Sequence, residues 1–138
     1  QLALKVAVEE HHADRIDIYG ATGGRIDQFL ANFWMVLEPG FKEYAPKIRM
    51  IDCQNAITFY LPGSYELNKE ADKKYLAFVP LTPMDQLNLI DEKYTLHDYQ
   101  VTRPMSLSST EFVGDQGHFS FTSGVMCVIQ SKDLKRFE

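Results

Sequence analysis

Apolar side chains recur along most of this chain at every second position, and along one stretch at every third or fourth. Leu2, Leu4, Val6 and Val8 alternate with Ala3, Lys5 and Ala7, which predicts an opening strand. Arg15 to Tyr19 alternates again through Ile16 and Ile18 and predicts a second. Between them Glu9, Glu10, His11, His12, Ala13 and Asp14 form a polar connection. Ile26, Phe29, Leu30, Phe33, Trp34 and Leu37 then recur at helical spacing. No strand places all six on one face, so one amphipathic helix is expected over residues 25–37, stopped by Pro39-Gly40.

The remainder reads as short strands between turn signals. Pro46 excludes a continuous helix over residues 41–56, and Ile48, Met50 and Ile51 suggest a short strand. Ile57 to Leu61 alternates and ends at a Pro62-Gly63 turn. Glu66 to Lys74 is charged and reads as solvated connection. Tyr75 to Val79 is apolar on both faces, as in a central strand. Pro80 to Glu92 reads as a long connection with a short helical turn at Met84 to Leu89. Further strands are expected at Tyr94 to Val101, weakly around Leu107, on either side of Gly114 to Gly117, and at Val125 to Ile129. About seven or eight short strands with one helix predict a mainly β domain. The expected form is a single two-layer antiparallel β-sandwich over residues 1–138, with the helix lying across it.

Composition narrows the partners. Hydrophobic residues make up 45% of the 138 and charged residues 24%, which is ordinary for a folded domain that needs no staple. The net charge of −5 and the lack of a basic stripe argue against nucleic acid. No apolar run is long enough to span a bilayer, and no leader is visible. The chain opens on Gln1 rather than Met, which leaves room for a removed leader. Cys53 and Cys127 fit either a disulfide in an oxidising space or two small buried hydrophobes in a reducing one.

Candidate chemistry is sparse. His11 and His12 with Asp14 could reach one metal from a loop, yet no recurrent ligand spacing accompanies them. His97-Asp98 and His118 raise the idea of an acid–base site, against the plainer reading of surface or structural histidines. Gly20 to Gly24 sits between strand and helix like a phosphate turn, but lacks the glycine and lysine pattern of one. No serine or cysteine nucleophile motif is present, and Asp85, Asp91 and Glu92 lack calcium-loop spacing. No metal or cofactor is therefore expected, and an enzyme would need an unrecognised site such as a pocket gathering His97, His118 and acids.

One ordering of motifs resembles a known family. An opening strand leads to Ile16-Asp17-Ile18-Tyr19, then Phe29 to Phe33 with a following leucine, then Leu61-Pro62-Gly63, then Lys74-Tyr75-Leu76-Ala77-Phe78-Val79. This order is similar to TssJ, the small outer-membrane lipoprotein of type VI secretion systems, over residues 2–80. The resemblance implies a transthyretin-like β-sandwich in the periplasm, tethered to the outer membrane by a lipid anchor absent from this chain. It implies a non-enzymatic adaptor that binds the periplasmic domain of an inner-membrane secretion protein. The alternative is a small acidic binding module such as a toxin-immunity protein, whose charge would suit a basic target.

Under either reading, function is expected in loops. The polar residues Glu9, Glu10, His11, His12 and Asp14 form one candidate partner-binding cluster. Met84, Asp85 and Leu87 form a second, as apolar anchors beside a charge. The same apolar residues could equally pin a long loop to the core.

Overall fold

The computed structural model describes residues 15–19 and 26–133. The predicted opening strand, the Glu9 to Asp14 connection and the Gly20 to Gly24 turn lie outside the described residues. The first described strand, β1 (Ile16–Tyr19), is followed by helix α1 (Ile26–Trp34), which tightens into a 3₁₀ turn at Met35–Leu37. A second 3₁₀ segment, Lys42–Lys47, accommodates Pro46, and β2 (Ile48–Ile51) follows directly. Then come β3 (Asn55–Tyr60), β4 (Gly63–Asn68), β5 (Tyr75–Pro80), β6 (Met84–Leu89), β7 (Leu96–Val101), β8 (Leu107–Glu111), β9 (Gln116–Phe121) and β10 (Met126–Ser131). The described residues thus carry ten strands, and the chain is mainly β as its alternation predicts.

The strands form two sheets. Six run in the order β1-β2-β3-β10-β5-β8, and four in the order β4-β9-β6-β7. All neighbours are antiparallel except β1 and β2, which pair in parallel from Ile16 beside Ile48 to Tyr19 beside Ile51. That pair departs from the all-antiparallel expectation because α1 intervenes between the two strands and returns the chain to the starting end of β1.

Both faces of the six-stranded sheet are covered. Period-2 alternation sends Phe59 and Cys127 to one face, where they meet Phe33, Met35 and Val36 of the helical segment. It sends Phe78, Met126 and Val128 to the other, against Leu87, Leu89, Phe119 and Phe121 of the four-stranded sheet. The second cluster is rich in aromatic contacts. Tyr60, Tyr65 and Phe78 all meet Phe119, with ring centroids 5.1–5.3 Å away.

Several expectations need correction. The helical stripe is only half used: Phe33 is buried, Phe29 and Leu37 are partly buried, but Ile26, Leu30 and Trp34 are 73%, 42% and 44% exposed. The stretch from Glu66 is not simply solvated, because Gly63–Asn68 is strand β4, with Leu67 inward and Ser64, Glu66 and Asn68 outward. Met84 to Leu89 is strand β6 rather than a helical turn in a loop. A bulge there puts Gln86 at φ 52° and shifts the register between Met84 and Leu87. One extra residue lets Met84, Leu87 and Leu89 all face the core, and the i, i+3 step from Met84 to Leu87 is the part that mimics a helix. Cys127 is buried and Cys53 exposed, and both are free thiols. Burial pushes the Cys127 thiol far above its ordinary value.

Candidate functional site

The two loop clusters predicted to bind a partner do not form a site among the described residues. Glu9, Glu10, His11, His12 and Asp14 lie outside them. Met84 and Leu87 are core residues with 1% and 0% exposure, so neither can anchor a partner. Asp85 is exposed, but it serves the neighbouring turn: its carbonyl accepts the Thr122 N–H, and its own N–H donates to Ser123 Oγ. His97 is exposed on β7.

A denser arrangement lies at the opposite end of the four-stranded sheet. There the β6–β7 connection (90–95) crosses the end of β8 and the start of β9. Ile90 N–H donates to the His118 carbonyl at 3.1 Å, and Lys93 N–H to the Glu111 carbonyl at 2.9 Å. Glu92 and Phe112 form a single antiparallel bridge between them. The Tyr94 N–H donates to Thr110 Oγ1 at 3.2 Å, which satisfies a buried threonine.

On one side of this crossing is a cleft of about 200 Å³ lined by Leu89, Tyr94, Thr95, Leu96, Leu107, Ser108 and Thr110. Leu89 is buried, Leu96 and Leu107 are half-buried, and together they give an apolar floor. Tyr94 is 58% exposed and gives an aromatic wall. The Lys93 ammonium lies 5.6 Å from the Tyr94 ring centroid, so the ring already meets a cation. Thr95 and Ser108 add hydroxyls that can donate or accept. None of the seven lining residues is charged. The cleft suits a small flat heterocycle better than a phosphate.

On the other side is an open hollow of about 750 Å³ lined by Asn68, Lys69, Asp91, Val113, Gly114, Asp115, Gln116 and His118. His118 is its chemical centre. Its backbone N–H and its ring Nδ1 both meet the Asp91 carboxylate, each at 2.6 Å. Its Nε2 is 3.8 Å from Glu66. The hydrogen bond to Asp91 raises the imidazole above its ordinary range, and the nearby carboxylates add to this. Burial alone would raise Asp91, but the His118 ring and backbone bonds outweigh it and hold that carboxyl below its usual range. Glu92, by contrast, is raised, chiefly by burial. Among the described residues no group of three or more histidines, cysteines and acids could hold a metal.

Sequence reading missed the cleft because its residues come from β6, β7, β8 and their connections. The available signal was an apolar Tyr94-Thr95-Leu96 beside acids, in a stretch that already looked like an ordinary strand. His118 was noted as a candidate, but its partner Asp91 lies 27 residues away and has no spacing motif.

Comparison with known proteins bears directly on this end of the molecule. Residues 64–126 match the family model described as thiamin pyrophosphokinase, vitamin B1 binding domain. That span runs from β4 to the start of β10 and contains every residue lining the cleft and the hollow. Thiamine pyrophosphokinase of Bacillus subtilis (strain 168) is 40% identical over 134 residues, 96% of this chain and 61% of that protein. A crystal structure of a thiamin pyrophosphokinase family protein from Enterococcus faecalis superposes with a TM-score of 0.92 at 47% identity, over 97% of this chain and 63% of that one. A Lactobacillus plantarum protein superposes with a TM-score of 0.91 at 55% identity, over 96% of this chain and 65% of that one. The chain thus spans about three-fifths of the length of the relatives it matches.

These matches overturn the secretion reading. The TssJ resemblance rested on short apolar motifs that any β-sandwich repeats, whereas the match here covers nearly the whole chain. With it go the adaptor role, the toxin-immunity alternative, the inner-membrane secretion partner and the periplasmic outer-membrane tether. The expectation of no enzyme activity falls too, since the relatives are named as kinases. No described helix is long and apolar enough to cross a membrane. The sandwich is of the kind found in those enzymes rather than specifically transthyretin-like. In sequence and in fold this chain is similar to the thiamine pyrophosphokinases.

Proposed function

We propose that this chain is part of a thiamine pyrophosphokinase, and that its cleft at Tyr94 receives thiamine as the acceptor of the pyrophosphoryl group. One observation supports this most: a crossing that builds an uncharged, aromatic-walled cleft lies inside the segment similar to the vitamin B1 binding domain. Thiamine joins a flat aminopyrimidine to a cationic thiazolium. An aromatic face takes both, by stacking on the first and by cation–π attraction to the second. Hydroxyls at Thr95 and Ser108 can satisfy the pyrimidine's polar edge. With no basic residue in its lining, the cleft selects the acceptor and holds no donor phosphate.

The test is thiamine binding measured by calorimetry on the 138-residue chain. Tyr94→Ala removes a stacking surface of a kind worth about 1–3 kcal/mol, so affinity should fall roughly 5- to 150-fold. Leu107→Lys should abolish binding by placing a like charge in the floor beneath the cationic thiazolium. Wild-type affinity in both folded variants, or no thiamine binding by the wild-type chain, would refute the assignment.

A further inference from the structure

We propose that Asp91 and His118 are a positioning pair that sets the seat of Tyr94 in the thiamine cleft, and that the seat is held best when the His118 ring is protonated. The inference rests on the thiamine reading of that cleft. Three contacts fasten residues 90 and 91 to one residue of β9: Ile90 N–H to the His118 carbonyl at 3.1 Å, and the two 2.6 Å contacts of Asp91 with His118 N–H and Nδ1. β9 is a rigid base, because Phe119 beside His118 is 1% exposed at the centre of the aromatic core.

From Asp91 the chain has three residues to reach Tyr94. The first of them, Glu92, is buried; its Oε2 accepts the Asp91 N–H at 3.2 Å and its Oε1 is unbonded, so its side chain bonds within the connection and does not tie it to β9. The Lys93 and Tyr94 N–H bonds to β8 fix the far side. The angle at which Tyr94 meets the cleft is therefore set between β8 and the Asp91–His118 pair. Movement at the pair reaches the wall of the cleft through a short, tightly bonded segment.

Charge decides which protonation state holds the pair. Facing His118 are Asp91 on the connection, Glu66 on β4 at 3.8 Å and the buried Glu92, with Asp115 and Lys69 lining the same hollow. Acids outnumber the one lysine, so the imidazolium is favoured. Once neutral, the ring keeps its bond to Asp91 only in the tautomer protonated at Nδ1, and loses its attraction to Glu66.

The experiment follows thiamine affinity from mildly acidic to mildly alkaline pH for wild type, His118→Gln and Asp91→Asn, with amide and ring NMR shifts of Tyr94 as a second readout. Wild-type affinity should weaken as pH rises through the His118 titration, and the Tyr94 shifts should move with it. His118→Gln should weaken binding about three- to tenfold at neutral pH and lose that step. Asp91→Asn should lower the His118 ring titration towards the ordinary histidine range. If His118→Gln binds with the wild-type affinity and pH profile, the pair positions nothing. If the wild type binds no thiamine while Tyr94 still tracks His118, the mechanical link stands and the thiamine reading falls. If Tyr94 ignores His118, the link itself is overturned.

Discussion

Glu92 is 2% exposed, with Oε2 accepting the Asp91 N–H at 3.2 Å and Oε1 unbonded. Loss of hydration raises its carboxyl above the ordinary range, and the Asp91 charge adds to this. The folded chain therefore holds that proton to higher pH than the unfolded chain does. Stability should fall as pH rises from the ordinary carboxylate range through the raised folded value, then level off. Glu92→Gln keeps an acceptor for the Asp91 N–H and removes the charge. Urea unfolding should show the variant more stable than wild type at neutral pH, with the gap closing in acid. Equal midpoints at neutral pH would show that the carboxylate has a partner after all. At this scale the sequence was informative about residue type and silent about neighbours. His118 stood out as a histidine in a strand, but Asp91, Glu66 and Glu92 reach it only through pairing of β9 with β4 and β6. Met84 and Leu87 looked like exposed anchors because they flank Asp85, and that error turns on a single bulged residue, Gln86.

Elements were legible where their apolar period was unbroken. β3, β5, β9 and β10 alternate, or are apolar throughout, and each was expected close to where it lies. β4 was lost because only Tyr65 and Leu67 mark its inward face among the polar Ser64, Glu66 and Asn68. β6 and β7 carry residues in the left-handed region, Gln86 at φ 52° and Asp98 at φ 49°, and neither is a glycine. Asn88 holds these two irregular strands in place. Its Nδ2 donates to the Gln86 carbonyl at 3.1 Å and to Ser120 Oγ at 3.2 Å, and its Oδ1 accepts the Asp98 N–H at 2.8 Å. One side chain thus ties β6 to both β7 and β9, where ladder bonds are interrupted. Asn88→Ala should cost about 1–3 kcal/mol, above what an exposed polar contact gives, because two strained backbone positions lose their partner. Denaturant midpoints check the loss. Hydrogen exchange should show it concentrated in β6 and β7 rather than in the six-stranded sheet.

The molecule as a whole is organised by its six-stranded sheet, which separates two cores. The helical segment closes one and the four-stranded sheet closes the other, and the Tyr94 cleft belongs to the second. Gross architecture followed from strand count and one amphipathic stripe. Function did not, because a cleft made at the crossing of two connections depends on topology that periodicity does not encode. The partition predicts that stability and binding can be uncoupled from one side only. Phe33 fills the first core, 8% exposed and in contact with the rings of Phe29, Trp34 and Phe59. Phe33→Ala should cost about 3–5 kcal/mol. Measured per folded molecule, its thiamine affinity should match wild type, since the sheet stands between that cavity and the cleft. Phe119→Ala opens a cavity of similar size in the second core, beside His118 and across from Leu89. It should lower stability and thiamine affinity together. Thiamine added at about 100 times its dissociation constant should raise the stability of the Phe33→Ala chain by the same roughly 2.7 kcal/mol as wild type, and that of Phe119→Ala at the same concentration by clearly less. Equal ligand stabilisation of Phe119→Ala and wild type would mean that the cleft does not depend on the core beneath it.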